Sequence, residues 1–167
     1  MADYATLKKK VDELAERVWD VPALEARVRK LSAEGIPKKK LNPKELLASK
    51  QQIIDRVRQR AEEYNFILKN CAQGTALALM EEFGLGNMET IKALSPFPGF
   101  GGTGWMCGGV TGGLISLGLY FGSDDMLDYE RTGASIIAAR KFMPRFEEEV
   151  GSVLCPKIQE EVIFGRY

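Results

Sequence analysis

A chain of 167 residues, 45% hydrophobic and 28% charged, suits one globular domain with room for an extension. It contains no histidine, which excludes Ser-His-Asp and Cys-His nucleophile pairs, His-Glu-x-x-His zinc sites and histidine-ligated haem within the chain. Its 23 basic and 23 acidic residues cancel overall, but residues 1–60 carry 15 against 9 and residues 61–167 carry 8 against 14.

From the N-terminus, the apolar spacing predicts an amphipathic helix over residues 3–19. Leu7, Val11, Leu14 and Val18 form a heptad-like seam too short for a coiled coil. Asp20-Val21-Pro22 breaks it, and a second helix from about Pro22 to Leu31 carries Leu24, Val28 and Leu31 on one stripe. Gly35 to Lys40 is a linker. Residues 1–41 therefore read as a helical-hairpin arm whose two stripes must cover the body or another chain. A basic arm on an acidic body favours association, with a second copy or within a larger complex. Pro37 to Lys40 has no interleaved aromatic residues, so nucleic acid is not an expected partner.

Residues 42–167 form the body. Asn42-Pro43-Lys44-Glu45 combines an N-cap, a first-position proline and a capping-box glutamate. A single helix is predicted from there to Phe83, with Gly74 inside it at a cost of about 1 kcal/mol relative to alanine. Gly84 ends it. Asn87 caps a short helix to Leu94, closed by Pro96 and Pro98. After a glycine-rich run from Phe97 to Gly113, Thr103 is expected to cap a helix from Gly104 to Phe121. Another runs from about Asp125 to Phe142, kinks at Pro144 and resumes from Arg145 to Leu154. Pro156 permits a last short helix to Phe164. No stretch alternates with a strand period, so the expected fold is an all-α helical bundle.

Trp105 to Gly122 is the longest weakly polar stretch. It is short for a membrane span and lacks basic flanks, so no span is expected. The first ten residues lack the apolar core of a secretory leader. Together with an odd cysteine count, this points to a reducing, cytoplasmic setting.

Without histidine, chemistry falls to thiolates or carboxylates. The acidic pairs Glu81-Glu82 and Asp124-Asp125 and the run Glu147 to Glu149 read as solvated charge. Cys71, on the apolar stripe of the long helix, reads by itself as a small buried hydrophobe. Cys107 falls in the first turn of its helix, and Cys155 precedes Pro156 at another helix start. Helix N-termini favour thiolate. Gly101, Gly102, Gly104, Gly108 and Gly109 let backbone approach a ligand. Gly108 with Gly112, and Gly109 with Gly113, equally suit close helix packing. The run lacks the Gly-Lys-Ser/Thr ending of a P-loop.

Four stretches then stand in order: Asn70-Cys71-Ala72-Gln73-Gly74-Thr75-Ala76 with Glu81 to Leu85; Gly99 to Gly102; Met106-Cys107-Gly108-Gly109-Val110-Thr111-Gly112; and Phe146 to Cys155. This order resembles the C_GCAxxG_C_C family, defined by four cysteines and a Cys-Gly-Ala-x-x-Gly motif, with Gly109 at the motif's alanine. The resemblance implies a redox or electron-transferring role. A related domain occurs in split-Soret cytochromes, where an iron–sulfur site is associated with it. It makes Cys71, Cys107 and Cys155 three of the four family cysteines. The fourth has no counterpart here, and Cys-x-x-Cys-His is absent. The implied site is an iron–sulfur cluster, [2Fe–2S] in type, on Cys71, Cys107 and Cys155 beside Gly102, Gly104 and Gly108, exchanging electrons with a protein partner. The fourth position falls to a carboxylate, solvent, substrate or another chain's cysteine. Two alternatives stand beside it. One is a non-catalytic helical subunit of a larger complex that has lost the cluster. The other is a thiol–disulfide protein using two of the three cysteines.

Overall fold

Alternating caps and breakers divide the chain into short helices stacked on one central helix. A computed structural model describes residues 8–9, 12–13 and 16–160. Among these the fold is all-α, as expected, with nine helices. The sole bridge among the described residues is antiparallel and joins Met106 to Leu154.

Helix α1 (Val21–Glu34) starts where the Asp20 carboxylate accepts the Ala23 N–H at 3.1 Å, with Pro22 in its first turn. Its stripe lies on the chain's own body: Leu24 and Leu31 are buried, Val28 packs on the core, and Ile36 beyond it is also buried. Of the first seam, Val18 is 97% exposed; Leu7, Val11 and Leu14 lie outside the described residues.

The single helix expected over 42–83 is three. Helix α2 (Pro43–Ala48) gives way at Ser49 to α3 (Lys50–Leu68), which stops where Lys69 turns left-handed at φ 52°. Helix α4 (Cys71–Phe83) starts afresh because the Asn70 side chain accepts the Gln73 N–H at 3.0 Å. A competent cap beats continuation of the helix. The two-residue break folds α4 back along α3, and Gly74 is what lets them close. A Cβ on Gly74 would sit 2.9 Å from the Asn65 nitrogen. The core gathers around this hairpin, with Tyr64, Leu77, Met80 and Leu94 fully buried.

Helix α5 (Met88–Ala93) is capped by Asn87, as expected. A four-residue helical turn, α6 (Gly99–Gly102), follows, interrupted by left-handed Phe100 and Gly101. Helix α7 begins at Gly108, not at Gly104, and runs Gly108–Phe121. The Thr103 hydroxyl turns back to the Phe100 carbonyl at 2.9 Å instead of capping a helix. Helix α8 is one continuous element, Tyr129–Val150, capped by Asp128 and carrying Pro144 inside it. It ends at left-handed Gly151, so Val153 and Leu154 are extended rather than helical. Helix α9 (Cys155–Ile158) closes the described chain; the expected continuation to Phe164 lies outside it. Helix α4 packs on both α3 and α7, and α7 in turn on α8. No helix of the described residues is long and apolar enough to cross a membrane.

Candidate functional site

The three cysteines occupy three helix starts. Cys71 was expected in mid-helix, but the break at Lys69-Asn70 makes it the first residue of α4. Cys107 is the N-cap residue of α7 and Cys155 the first residue of α9. The signal for Cys71 was present in the sequence as Asn70 with Gln73 three residues on, a cap followed by a capping-box glutamine.

Each start is pinned. The Asn70 amide donates to the Ser95 carbonyl at 3.0 Å, and Gln73 Nε2 to the Ile91 carbonyl at 2.9 Å. These bonds tie the head of α4 to α5 and the turn after it. The Cys107 N–H donates to the Val153 carbonyl at 2.8 Å, and the Cys155 N–H to the Trp105 carbonyl at 2.7 Å. That ribbon carries Cys155 back to Cys107 across 48 residues of sequence.

Glycines decide how close the sulfurs come. A Cβ on Gly108 would fall 2.3 Å from Cys71 Sγ and 2.7 Å from the Ala72 nitrogen. A Cβ on Gly112 would fall 2.6 Å from the Ala72 carbonyl oxygen. The motif glycines therefore let α7 lie against the first turn of α4, with the Cys71 sulfur in the space a side chain would fill. Gly109 is beside Cys107, its Cβ position 3.6 Å from Cys107 Sγ. Gly99 was not singled out by its spacing, yet a Cβ on it would fall 3.7 Å from Cys155 Sγ, and its φ is +56°. Gly104, also at positive φ, faces the Pro156 ring. A Cβ on Gly102 would meet nothing within 4 Å.

The electrostatics divide the sulfurs into a pair and a neighbour. Cys71 and Cys107 act on each other more strongly than any other group does. The Cys71 donor, assisted by the backbone N–H groups of Gly109 and Val110, draws Cys107 down to about 6 against the opposing effect of burial. Cys71 is pushed upward by the same contact and by burial, with the Gly108 N–H opposing. Cys107 is therefore the more acidic member of the pair. Cys155 is raised by burial and then by the Cys107 charge. All three cysteines are free thiols, each half-buried.

An iron–sulfur cluster takes four thiolate ligands. The described residues supply one hydrogen-bonded sulfur pair and a third sulfur beside it. Among them, no group of three or more Cys, Asp or Glu is arranged to hold a metal ion. Three cysteines are one fewer than a cluster's four thiolates.

The model of a family described as "Putative redox-active protein (C_GCAxxG_C_C)" matches residues 69–166, more than half of the chain. The chain belongs to that family. Membership supports a redox role, and all three cysteines lie in the matched span, which opens at the break before α4. Helices α1 to α3 lie before it. No curated protein and no solved structure matches the chain.

Proposed function

We propose that the protein is a thiol redox protein in which Cys71 and Cys107 pass between dithiol and disulfide. The observation that carries this reading is the placement of the two sulfurs at adjoining helix starts, Cys71 Sγ in the space beside Gly108 and Cys107 Sγ beside Gly109, with Cys107 drawn down by its neighbours. A thiolate is the nucleophile in disulfide exchange, and a neighbouring thiol resolves the product. Cys107 attacks a disulfide of the oxidant and forms a mixed disulfide, expelling one thiolate. That thiolate takes the Cys71 proton. The Cys71 sulfur then attacks Cys107, and the second oxidant sulfur leaves as thiolate and is protonated by solvent. Two electrons and the Cys71 proton move from the protein to the oxidant's disulfide, and solvent supplies the second proton.

Gly109, Val110 and Gly108 point backbone N–H groups at these sulfurs, as oriented dipoles that hold negative sulfur without a cation. Cys155 stands next to the pair and is not needed for the exchange.

The test is a thiol count and disulfide map of the full chain before and after mild oxidation with a small disulfide. The accessible thiols fall by two, and the new bond joins Cys71 to Cys107. Cys155→Ser retains the bond and Cys71→Ser loses it. An anaerobically purified protein that is brown, contains iron and sulfide, and loses both in Cys155→Ser would replace this reading with a cluster on all three cysteines.

A further inference from the structure

The Cys107 sulfur is preceded by a short extended segment. Trp105 to Cys107 run antiparallel to Val153 to Cys155, and the two bonds of the ribbon come from Cys107 and Cys155 on either side of the Met106–Leu154 pair. In this pattern the N–H and C=O of Met106 point away from Leu154, to the outer edge. Neither has a hydrogen-bond partner among the described residues, and Met106 is half-exposed. An unpaired strand edge is a template for another extended chain.

The segment that carries that edge is neutral. From Ala93 to Ser123 the sequence has no Asp, Glu, Lys or Arg. Within this segment Trp105 is 62% exposed and Phe100 49% exposed, one immediately before Met106 and the other in the turn below it. Phe100 is held at φ 53°, a conformation that non-glycine residues seldom adopt. An exposed aromatic ring adjoining an unpaired backbone edge, with a second in the preceding turn, offers flat apolar contact and main-chain hydrogen bonds on an uncharged segment.

We propose that the disulfide substrate of this site is carried on a polypeptide, bound as an extended, uncharged strand along Met106 with its side chains against Trp105 and Phe100. The inference rests on the dithiol reading above and specifies its substrate class. Pairing along Met106 places a cysteine of the bound strand next to Cys107. The Cys107 thiolate then attacks that cysteine's disulfide sulfur, and the Cys71 proton passes to the thiolate released. Cys71 next attacks Cys107, freeing the bound cysteine. The protein's dithiol and one peptide disulfide become the protein's disulfide and two peptide thiols.

The experiment uses reduced full-length protein and three probes with the same thiopyridine leaving group. One is the mixed disulfide of a capped single cysteine. The second is that of an uncharged peptide with a central cysteine. The third is the same peptide N-methylated, one residue at a time. The peptide is expected to react about tenfold faster than the capped cysteine, the worth of one or two net hydrogen bonds. N-methylation at one position, and not at its neighbours, returns the ratio to about one, because strand pairing uses alternate residues. Trp105→Ala and Phe100→Ala each lower the ratio. Added salt leaves it unchanged, as expected for an uncharged contact. A ratio near one in the wild type, a ratio indifferent to N-methylation, or one retained in both aromatic variants overturns the proposal while leaving the dithiol reading in place. Failure to react even with the capped cysteine removes the dithiol reading, and this inference with it.

Discussion

The two ends of α4 carry polar groups of opposite character. At its C-terminal end every strong group is saturated. The Tyr64 hydroxyl, fully buried, donates to Glu81 and accepts from Arg27 Nε at 2.8 Å, while Arg27 also pairs with Glu81. Arg56 grips Glu82, and Lys39 Nζ donates to the Glu82 carbonyl at 2.8 Å. Burial, then the Glu81 hydrogen bond, pushes the Tyr64 phenol upward and fixes its proton. At the N-terminal end, about 15 Å away by helical rise, the segment from Ala93 to Ser123 carries no charged side chain, and the sulfurs meet backbone dipoles. One end ties the arm to the body through ion pairs that compensate one another. The other holds two thiols whose acidities their mutual contact and the backbone N–H groups push in opposite directions. A saturated network stabilises and does not react; two thiols of unequal acidity are what reaction needs.

The largest expected effect separates the ends by packing. Gly108→Ala puts a methyl group 2.7 Å from the Ala72 nitrogen, which is backbone and cannot turn aside. The head of α4 must move. The cost is about 3 kcal/mol, near the upper end for overpacking, or a fall in melting temperature of about 10 °C. The Cys71–Cys107 disulfide yield should fall with it. Thermal unfolding and a disulfide map report both quantities on one sample.

Next is the saturated end. Glu81→Gln leaves the half-buried Arg27 charge without its partner and should cost about 2 kcal/mol in urea denaturation. The rate and pH profile of Cys107 alkylation should not change. If they did, the two ends would be coupled along α4 and the contrast drawn above would fail.

A smaller effect tests the thiol pair itself. Alkylation of Cys107 should follow its thiolate fraction and be half-maximal near pH 6. Cys71→Ala removes the donor that is the largest cause of the shift. The midpoint should therefore rise toward the ordinary thiol value of about 8.5. Stability carries the same signature. A depressed folded pKa at Cys107 contributes stability that is present above about pH 8.5 and is lost as pH falls through about 6. The raised value at Cys71 contributes stability present below about pH 8.5 and lost as pH rises above it. The urea midpoint should thus climb from pH 6 toward about 8.5 and then decline. Cys107→Ser should flatten the rising limb. A flat wild-type profile would mean that the two thiols do not act on each other in solution.

Much of this architecture was legible as local chemistry. The all-α class, the Asn87 cap, the Gly84 stop and the helix start at Cys155-Pro156 all follow from residues that act on their own neighbours. What misled was competition between neighbours. Apolar spacing alone carried the predicted helix through residues 69 and 70, where a cap was available. Thr103 looked like a cap, but its hydroxyl was taken by the turn behind it. The cysteine ribbon was not legible at all. It depends on a bridge between Met106 and Leu154, and a two-residue pairing has no periodicity to detect. Likewise, glycine content marked the loop but not which glycines matter. Gly108 is fixed by contact with Cys71 and Ala72, whereas Gly102 faces open space.

That last distinction yields the smallest effect, and it has the opposite sign. Gly108, Gly112 and Gly118 belong to one helix, α7, and look alike in the sequence. The first two lie under the head of α4. At Gly118 a Cβ would meet nothing within 4 Å, and its backbone is right-handed, so alanine fits without strain. Glycine there brings only its entropic cost, because an unfolded glycine has more conformations to lose. Gly118→Ala should therefore stabilise the protein by about 0.5–1 kcal/mol. It should raise the melting temperature by about 2–3 °C and leave the thiols untouched. Measured beside Gly108→Ala, it isolates contact from conformation at two sites ten residues apart on the same helix. Destabilisation at Gly118 would mean that this face of α7 is covered by something that needs the glycine, such as a second chain.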